Sequence, residues 1–198
     1  MASGPDRRRV RHEQTVGLIL TAAWQLAERD GLAGLSLGDL ARAMEMRPQS
    51  LYTYFPSKHS IYDAMYREGF EQLQARHETL TATGDPVSFL AATAEAFVDF
   101  AAERPSRYQL LFQRTVPGFV PSDESFAVSK RTLAGMRDWL AAAGITEERD
   151  LDLWRVLLLG LAGQQLANDP GGSRFRQLAG EAASYFVTFT RTKKEEQR

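Results

Sequence analysis

The chain has 198 residues, 43% hydrophobic and 25% charged, with a formal net charge of −1 and no cysteine. That is enough apolar chain for a sizeable core in one domain or two small ones, and the lack of cysteine excludes disulfides, thiol nucleophiles and cysteine-ligated metals. No run approaches the roughly 18 to 20 uninterrupted apolar residues of a membrane span, and the charged amino terminus is unlike a signal peptide, so a cytoplasmic protein is expected.

Residues 1–10 read as a flexible basic arm, with a tail over the first six. Arg7, Arg8, Arg9 and Arg11 are either a solvated charge run or an arm placed to enter a minor groove, whose negative potential attracts arginine. From about His12 to Arg29 the residues Val16, Ile19, Leu20, Ala23, Leu26 and Ala27 recur at helical spacing, with Trp24 as core filler at the edge of the stripe. Asp30-Gly31 closes this helix. Leu32 and Leu35 then bridge to Ser36.

Ser36 and Asp39 match the capping-box pattern, which starts a helix at Leu37. Leu37, Leu40, Ala41 and Met44 form one apolar stripe, and Met44-Glu45-Met46 is the break after it. Pro48 has no N–H to donate and fits only the first turn of a helix, so a second short helix starts at about Arg47 and runs to about Thr53, where Phe55-Pro56 stops it. Two short helices across a tight turn make a helix-turn-helix, assigned to residues 11–57. The second helix carries Arg47, Gln49, Ser50, Tyr52, Thr53 and Tyr54, too many hydrogen-bonding groups for a segment whose only task is burial. Arginine pairs with guanine and glutamine with adenine, while hydroxyls donate to phosphates. Lys58 opens the next helix, where its cation and the adjacent N–H groups suit a phosphate. From Arg7 to Lys58 there are eight basic and five acidic residues, a local +3 on a chain of −1. The basic third faces a phosphate backbone without making the whole surface bind anions.

The helix from Lys58 is expected to reach about Thr81, carrying Ile61, Met65, Phe70 and Leu73 inward, and residues 58–82 form a connecting segment. Thr83-Gly84-Asp85-Pro86 is the clearest boundary, with Asp85 a cap and Pro86 the first residue of the following helix. Phe89, Thr93, Ala96 and Phe100 line the inner side of that helix, and Glu95, Asp99 and Glu103 are expected to be solvated opposite them. Another helix begins at Arg104-Pro105 and holds Tyr108, Leu111 and Phe112. Residues 116–121 are an apolar loop pinned by Pro117 and Pro121, either a cap on the core or the rim of a ligand entrance. Ser122 caps a helix ending at Gly144, and Thr146 with Glu147, Glu148 and Asp150 starts the next, the most apolar in the chain. Gly160 and Gly163 within it each cost about 1 kcal/mol relative to alanine, for which a close helix contact is the simplest compensation. A turn at residues 168–172 leads to a last helix opened by Ser173, with residues 85–192 as one carboxy-terminal domain and a frayed, charged tail over 193–198. The fold class is all-α, about nine helices.

Leu40-Ala41, Leu51-Tyr52, Tyr54-Phe55, Pro56-Ser57-Lys58 and Ile61 together resemble the DNA-binding signature of the tetracycline-repressor (TetR) family of bacterial regulators. The resemblance is close over residues 11–66 and beyond them rests on length and helical character. The family usually has glycine in the turn, where this chain has Glu45, and a small hydroxyl residue opening the recognition helix, where this chain has Arg47-Pro48. The resemblance implies a helix-turn-helix that contacts an operator through Ser36, Leu37 and the recognition-helix residues, a homodimer through the last two helices, an effector cavity in the carboxy-terminal bundle and coupling through the helix after Lys58. Leu157, Gly160, Leu161, Gln164, Leu178, Ala182, Tyr185 and Phe189 are the expected dimer residues. Phe97, Phe100, Tyr108, Phe112, Phe119, Trp139 and Trp154 are the candidate cavity lining, as core or as ligand contacts.

His12, His59 and His77 lack metal-ligand spacing, and neither a phosphate loop nor a G-x-S-x-G elbow is present. No catalytic residue, metal or cofactor is expected. The expected function is a DNA-binding transcriptional regulator, a repressor released from a palindromic operator by a small apolar or aromatic effector. Its partners are double-stranded DNA, the effector and a second copy of itself, with no membrane. The alternative is a DNA-binding regulator whose carboxy-terminal bundle takes a protein partner.

Overall fold

The computed structural model describes residues 4–80 and 85–196. Helices are α1 (Gly4–Gly34), α2 (Leu37–Ala43), α3 (Pro48–Tyr52), α4 (Lys58–Glu78), α5 (Pro86–Glu103), α6 (Pro105–Phe112), α7 (Asp123–Ala142), α8 (Glu148–Asn168) and α9 (Ala179–Glu196), with a 3-10 turn at Arg176–Leu178. Among the described residues there is no strand, and no helix is long and apolar enough to cross a membrane.

Two units are distinguishable. One comprises residues as far as Gly69 together with Ser106–Phe126; the other comprises Phe70–Pro105 and the chain from Ala127 onward. This division differs from the expected one, because α6 and the loop after it belong with the helix-turn-helix. In the first unit Ile19, Ala23, Ala27, Leu35, Leu40, Leu51, Ile61 and Met65 are buried as one core. The Ser106 hydroxyl donates to Ala27 O at 2.8 Å, fastening the start of α6 to α1. Trp24 is buried as expected, and its indole N–H finds the Glu68 carboxylate at 2.6 Å.

In the second unit α5 packs against α8 and α9, burying Phe97, Phe100, Leu158, Trp154 and Phe186. Glu95 and Asp99 are not simply solvated: Arg176 bridges them at 2.9 and 2.7 Å, pinning the 3-10 turn to α5. Glu103 likewise pairs with Arg76 at 2.8 Å.

Several boundaries differ from expectation, each for a local reason. The basic run is not an extended arm, since Arg7, Arg8, Arg9 and Arg11 lie on α1. Nothing in that stretch breaks a helix, and Arg9 adds intrahelical pairs to Asp6 and Glu13. The positive φ of Gly31, 76°, ends the main part of α1 where expected, but one more turn follows to Gly34. α4 stops at Glu78 rather than Thr81; Thr81, Thr83 and Gly84 lie outside the described residues. Asp85 caps α5 as expected, accepting from the N–H groups of Val87 and Ser88. The last helix starts at Ala179, not Ser173, because Gln165 Oε1 takes the Phe175 and Arg176 N–H groups and the Asp169 carboxylate takes that of Arg174. Nor does the chain fray after Thr192: α9 continues to Glu196, with Lys193 paired to Glu147 and to the buried Asp150.

Candidate nucleic-acid interface and adjoining pocket

α2 begins as its sequence dictates. Ser36 is the N-cap, its hydroxyl accepting the Asp39 N–H at 3.0 Å and donating to the Asp39 carboxylate at 2.6 Å. The carboxylate thus serves the hydroxyl and Arg42 rather than a backbone N–H, and these two bonds, the Ser36 hydroxyl first, hold its pKa below the usual carboxylate value. α2 ends in a Schellman motif: Met46 N–H bonds to Ala41 O at 2.8 Å and Glu45 N–H to Arg42 O at 3.1 Å. The motif requires a left-handed residue at its centre, and Glu45 supplies it with φ 52°. The turn therefore keeps the geometry glycine would give, at a cost of about 1 kcal/mol in backbone strain.

α3 follows with Arg47 as an extended N-cap and Pro48 in its first turn. Only Leu51 is buried, and it is the residue that anchors the helix. Arg47, Pro48, Gln49, Ser50, Tyr52 and Thr53 are all exposed, Tyr52 by 51%. The Thr53 hydroxyl is turned back onto Ser50 O at 2.6 Å. Tyr54 is only half-exposed and stacks on His12 of α1 at 4.9 Å between centroids, so it braces α3 rather than extending its polar face. Lys58 is half-buried and donates to Ala33 O at 2.9 Å. An ammonium has three donors, which leaves capacity for a phosphate. Leu37 is half-buried behind Ser36.

The candidate cavity residues do not come together. Phe112 and Phe119 line a partly open pocket of about 390 Å³ in the first unit, bounded by Tyr66 of α4, the end of α6, residues 116–121 and the first turn of α7. Tyr108 is buried, with its ring 5.7 Å from that of Phe112. Phe97, Phe100, Trp139 and Trp154 belong to the second unit, the first two and Trp154 as core. The pocket residues Tyr66 and Phe126 were missed, because an aromatic at helical spacing reads as core; the apolar loop from Val116 signalled the place.

On α8 and α9 the expected dimer residues Tyr185 and Phe189 are exposed by 73% and 47%, and Leu178, on the 3-10 turn, by 40%. Gly160 and Gln164 are exposed, while Leu157, Leu161 and Ala182 are half-buried. Val156, 64% exposed, extends the same kind of surface and was not anticipated. Among the described residues a Cβ built on Gly160 would meet nothing within 4 Å, so no close contact among them compensates for that glycine.

Residues 19–65 match the family described as bacterial regulatory proteins, tetR family, and residues 90–184 match the tetracyclin repressor-like C-terminal domain. The chain belongs to the TetR family. Among its relatives, YobS of Bacillus subtilis, named as an uncharacterized HTH-type transcriptional regulator, is 33% identical over 97 residues, 48% of this chain and 50% of that protein. An HTH-type transcriptional regulator of Mycobacterium tuberculosis is 29% identical over 143 residues, 69% of this chain and 60% of that protein. The matched stretch thus spans half to three fifths of these curated relatives. A TetR-family regulator from Streptomyces coelicolor shares the fold with a TM-score of 0.72 at 20% identity, covering 93% of this chain and 85% of that one. FadR of Bacillus subtilis, solved with stearoyl-CoA, does so with a TM-score of 0.69 at 14% identity, covering 85% and 96%. These TetR-family similarities bear on fold and family.

Proposed function

We propose that the protein is a sequence-specific DNA-binding transcriptional regulator that acts as a homodimer, a repressor that leaves its operator when a small apolar or aromatic effector binds. The observation that carries the reading is the exposed polar face of α3, where Arg47, Gln49, Ser50 and Tyr52 stand clear of the core beside a single buried anchor, Leu51. A face of this kind can enter a major groove, where Arg47 and Gln49 supply bidentate base contacts and the hydroxyls and Lys58 supply phosphate contacts. Arg7, Arg8 and Arg11 lie on α1 in the same unit, where they add positive field toward the backbone.

The exposed apolar residues Val156, Leu178, Tyr185 and Phe189 support dimerisation through α8 and α9, because patches of this type are normally covered. Gly160 leaves room for close approach of a second copy. A two-fold dimer would read a palindrome with half-sites one or more helical turns apart. A partly open pocket with mainly apolar walls supports a small-molecule effector over a protein partner, and a FadR of the same fold holds an acyl-CoA.

Selection of bound fragments from random duplex DNA at several salt concentrations tests the reading. A recurring palindrome is expected, with affinity falling steeply as salt rises. On that palindrome Gln49→Ala and Tyr52→Ala should each weaken binding roughly tenfold or more with unchanged thermal stability. Enrichment of no common sequence would overturn it.

A further inference from the structure

The pocket and the helix-turn-helix share more than a unit. Phe119, on the pocket wall, lies across α4 with its ring 5.7 Å from Tyr62 and 6.3 Å from Tyr66. Tyr62 is buried, and the hydroxyl at the far end of its ring donates to Leu32 O, in the last turn of α1 beyond the Gly31 kink. The Lys58 ammonium stands 5.5 Å from the same ring and bonds to Ala33 O, the next carbonyl. One tyrosine of α4 therefore touches the pocket wall on one side and, on the other, the segment that leads directly into the Ser36 cap of α2. The two ends of that pocket wall differ in constraint. Beyond Pro121, Asp63 accepts from Ser122 N–H at 2.6 Å and from the Ser122 and Ser125 hydroxyls at 2.9 and 2.8 Å, whereas Val120 within the loop is 81% exposed.

The lining also specifies a ligand class. Its aromatic walls, Tyr66, Phe112, Phe119 and Phe126, suit a flat apolar body. Its charged groups are one Arg114 and one Asp123, both exposed at the mouth and of opposite sign, so the lining carries no net charge to hold an ion. A volume of about 390 Å³ is at the small end of ligand sites.

We propose that this pocket, rather than the core of the second unit, receives the effector, an uncharged aromatic molecule, and that Phe119 and Tyr62 convey its presence to the last turn of α1, which leads into α2, and so to the recognition helix. The inference rests on the regulator reading above and deepens it. A ligand can shift the protein only by differing in affinity for two arrangements, and the arrangements here are Phe119 packed at a tilt against Tyr62 or displaced from it.

The test uses 1-naphthol as an uncharged probe, with 1-naphthoate and 1-naphthylmethylammonium as charged counterparts, on the full-length protein. Calorimetric titration is expected to give one saturable naphthol site per chain, lost in a Phe112→Trp, Val116→Trp variant that fills the pocket. Amide hydrogen exchange in residues 31–36 is expected to change on naphthol addition. Affinity for the selected operator should fall at least fivefold with naphthol. In Tyr62→Phe, which keeps the ring and removes the hydroxyl, naphthol should bind within threefold of the parent while both the exchange change and the operator response are lost. Absence of saturable naphthol binding, tighter binding of either ion, or an unaltered response in Tyr62→Phe overturns the inference. Failure to select any operator would instead overturn the regulator reading, and the binding and exchange experiments would still decide the pocket.

Discussion

Glu45 holds a left-handed backbone angle that most side chains resist, φ 52°, at the centre of the helix-turn-helix turn. Glycine there meets no such resistance, so Glu45→Gly is expected to raise stability by about 0.5–1 kcal/mol, read as a higher urea midpoint with an unchanged slope. A lower midpoint would mean that the glutamate side chain makes a compensating contact. His77 is the other residue held against its preference. It is buried beside Trp139, with ring centroids 5.1 Å apart, and neither ring nitrogen has a hydrogen-bond partner. Burial, reinforced by the neighbouring Arg76, lowers its pKa from 6.5 to about 4. The folded protein thus keeps a neutral imidazole while the unfolded chain takes up a proton. The stability is fully present above pH 6.5 and drains away as the pH falls toward 4, by about 2 kcal/mol at pH 5. Denaturation at pH 7 and pH 5 should show this loss in the parent and not in His77→Phe, which at pH 7 should be no less stable, because it removes orphaned nitrogens.

At the scale of elements, ends are held by side chains from elsewhere in the chain as often as by their own caps. Asp63 of α4 secures the amino-terminal end of α7 through three hydrogen bonds within the first unit. Asp63→Ala should cost about 2 kcal/mol and loosen the loop before α7, seen as faster amide exchange over residues 116–122; unchanged exchange there would show that the prolines alone hold it. In the second unit Gln165 of α8 gathers the backbone of residues 169–176 and Arg176 ties that turn to α5. Lys193 does the same for α9, sharing its ammonium between Glu147 and Asp150; hydrogen bonding to Glu147 raises its pKa. Lys193→Met would leave Asp150 buried without its cation, and a lower melting temperature is expected.

For the whole molecule, the proposed consequence of the exposed apolar surface on α8 and α9 is association of two copies. Tyr185→Glu combined with Phe189→Glu places two charges where the proposed dimer would be driest. Sedimentation should shift from dimer to monomer at micromolar concentration, with unchanged helicity. Operator affinity should drop at least tenfold, since two half-sites would no longer be read together. A dimer that survives both charges would move the interface elsewhere, and Val156, on the neighbouring helix, would be the next position to change.

Much of the architecture was legible from Ser36, Pro48, Asp85, Ser122 and Gly144, because caps, prolines and left-handed glycines act within a few residues and leave a local pattern. The exposure of the polar side of α3 was legible for the same reason: a five-residue helix with one buried leucine has to expose its remaining polar groups. What no local pattern could reveal was partnership over long separations. Tyr62 with Leu32, Asp63 with Ser122 and Arg176 with Asp99 lie 30, 59 and 77 residues apart, and it is these meetings that tie helix ends together, place the apolar loop over α4 and leave a pocket between α4, α6 and the start of α7. Periodicity shows which side of a helix turns inward; only the folded chain decides which other segment it meets there.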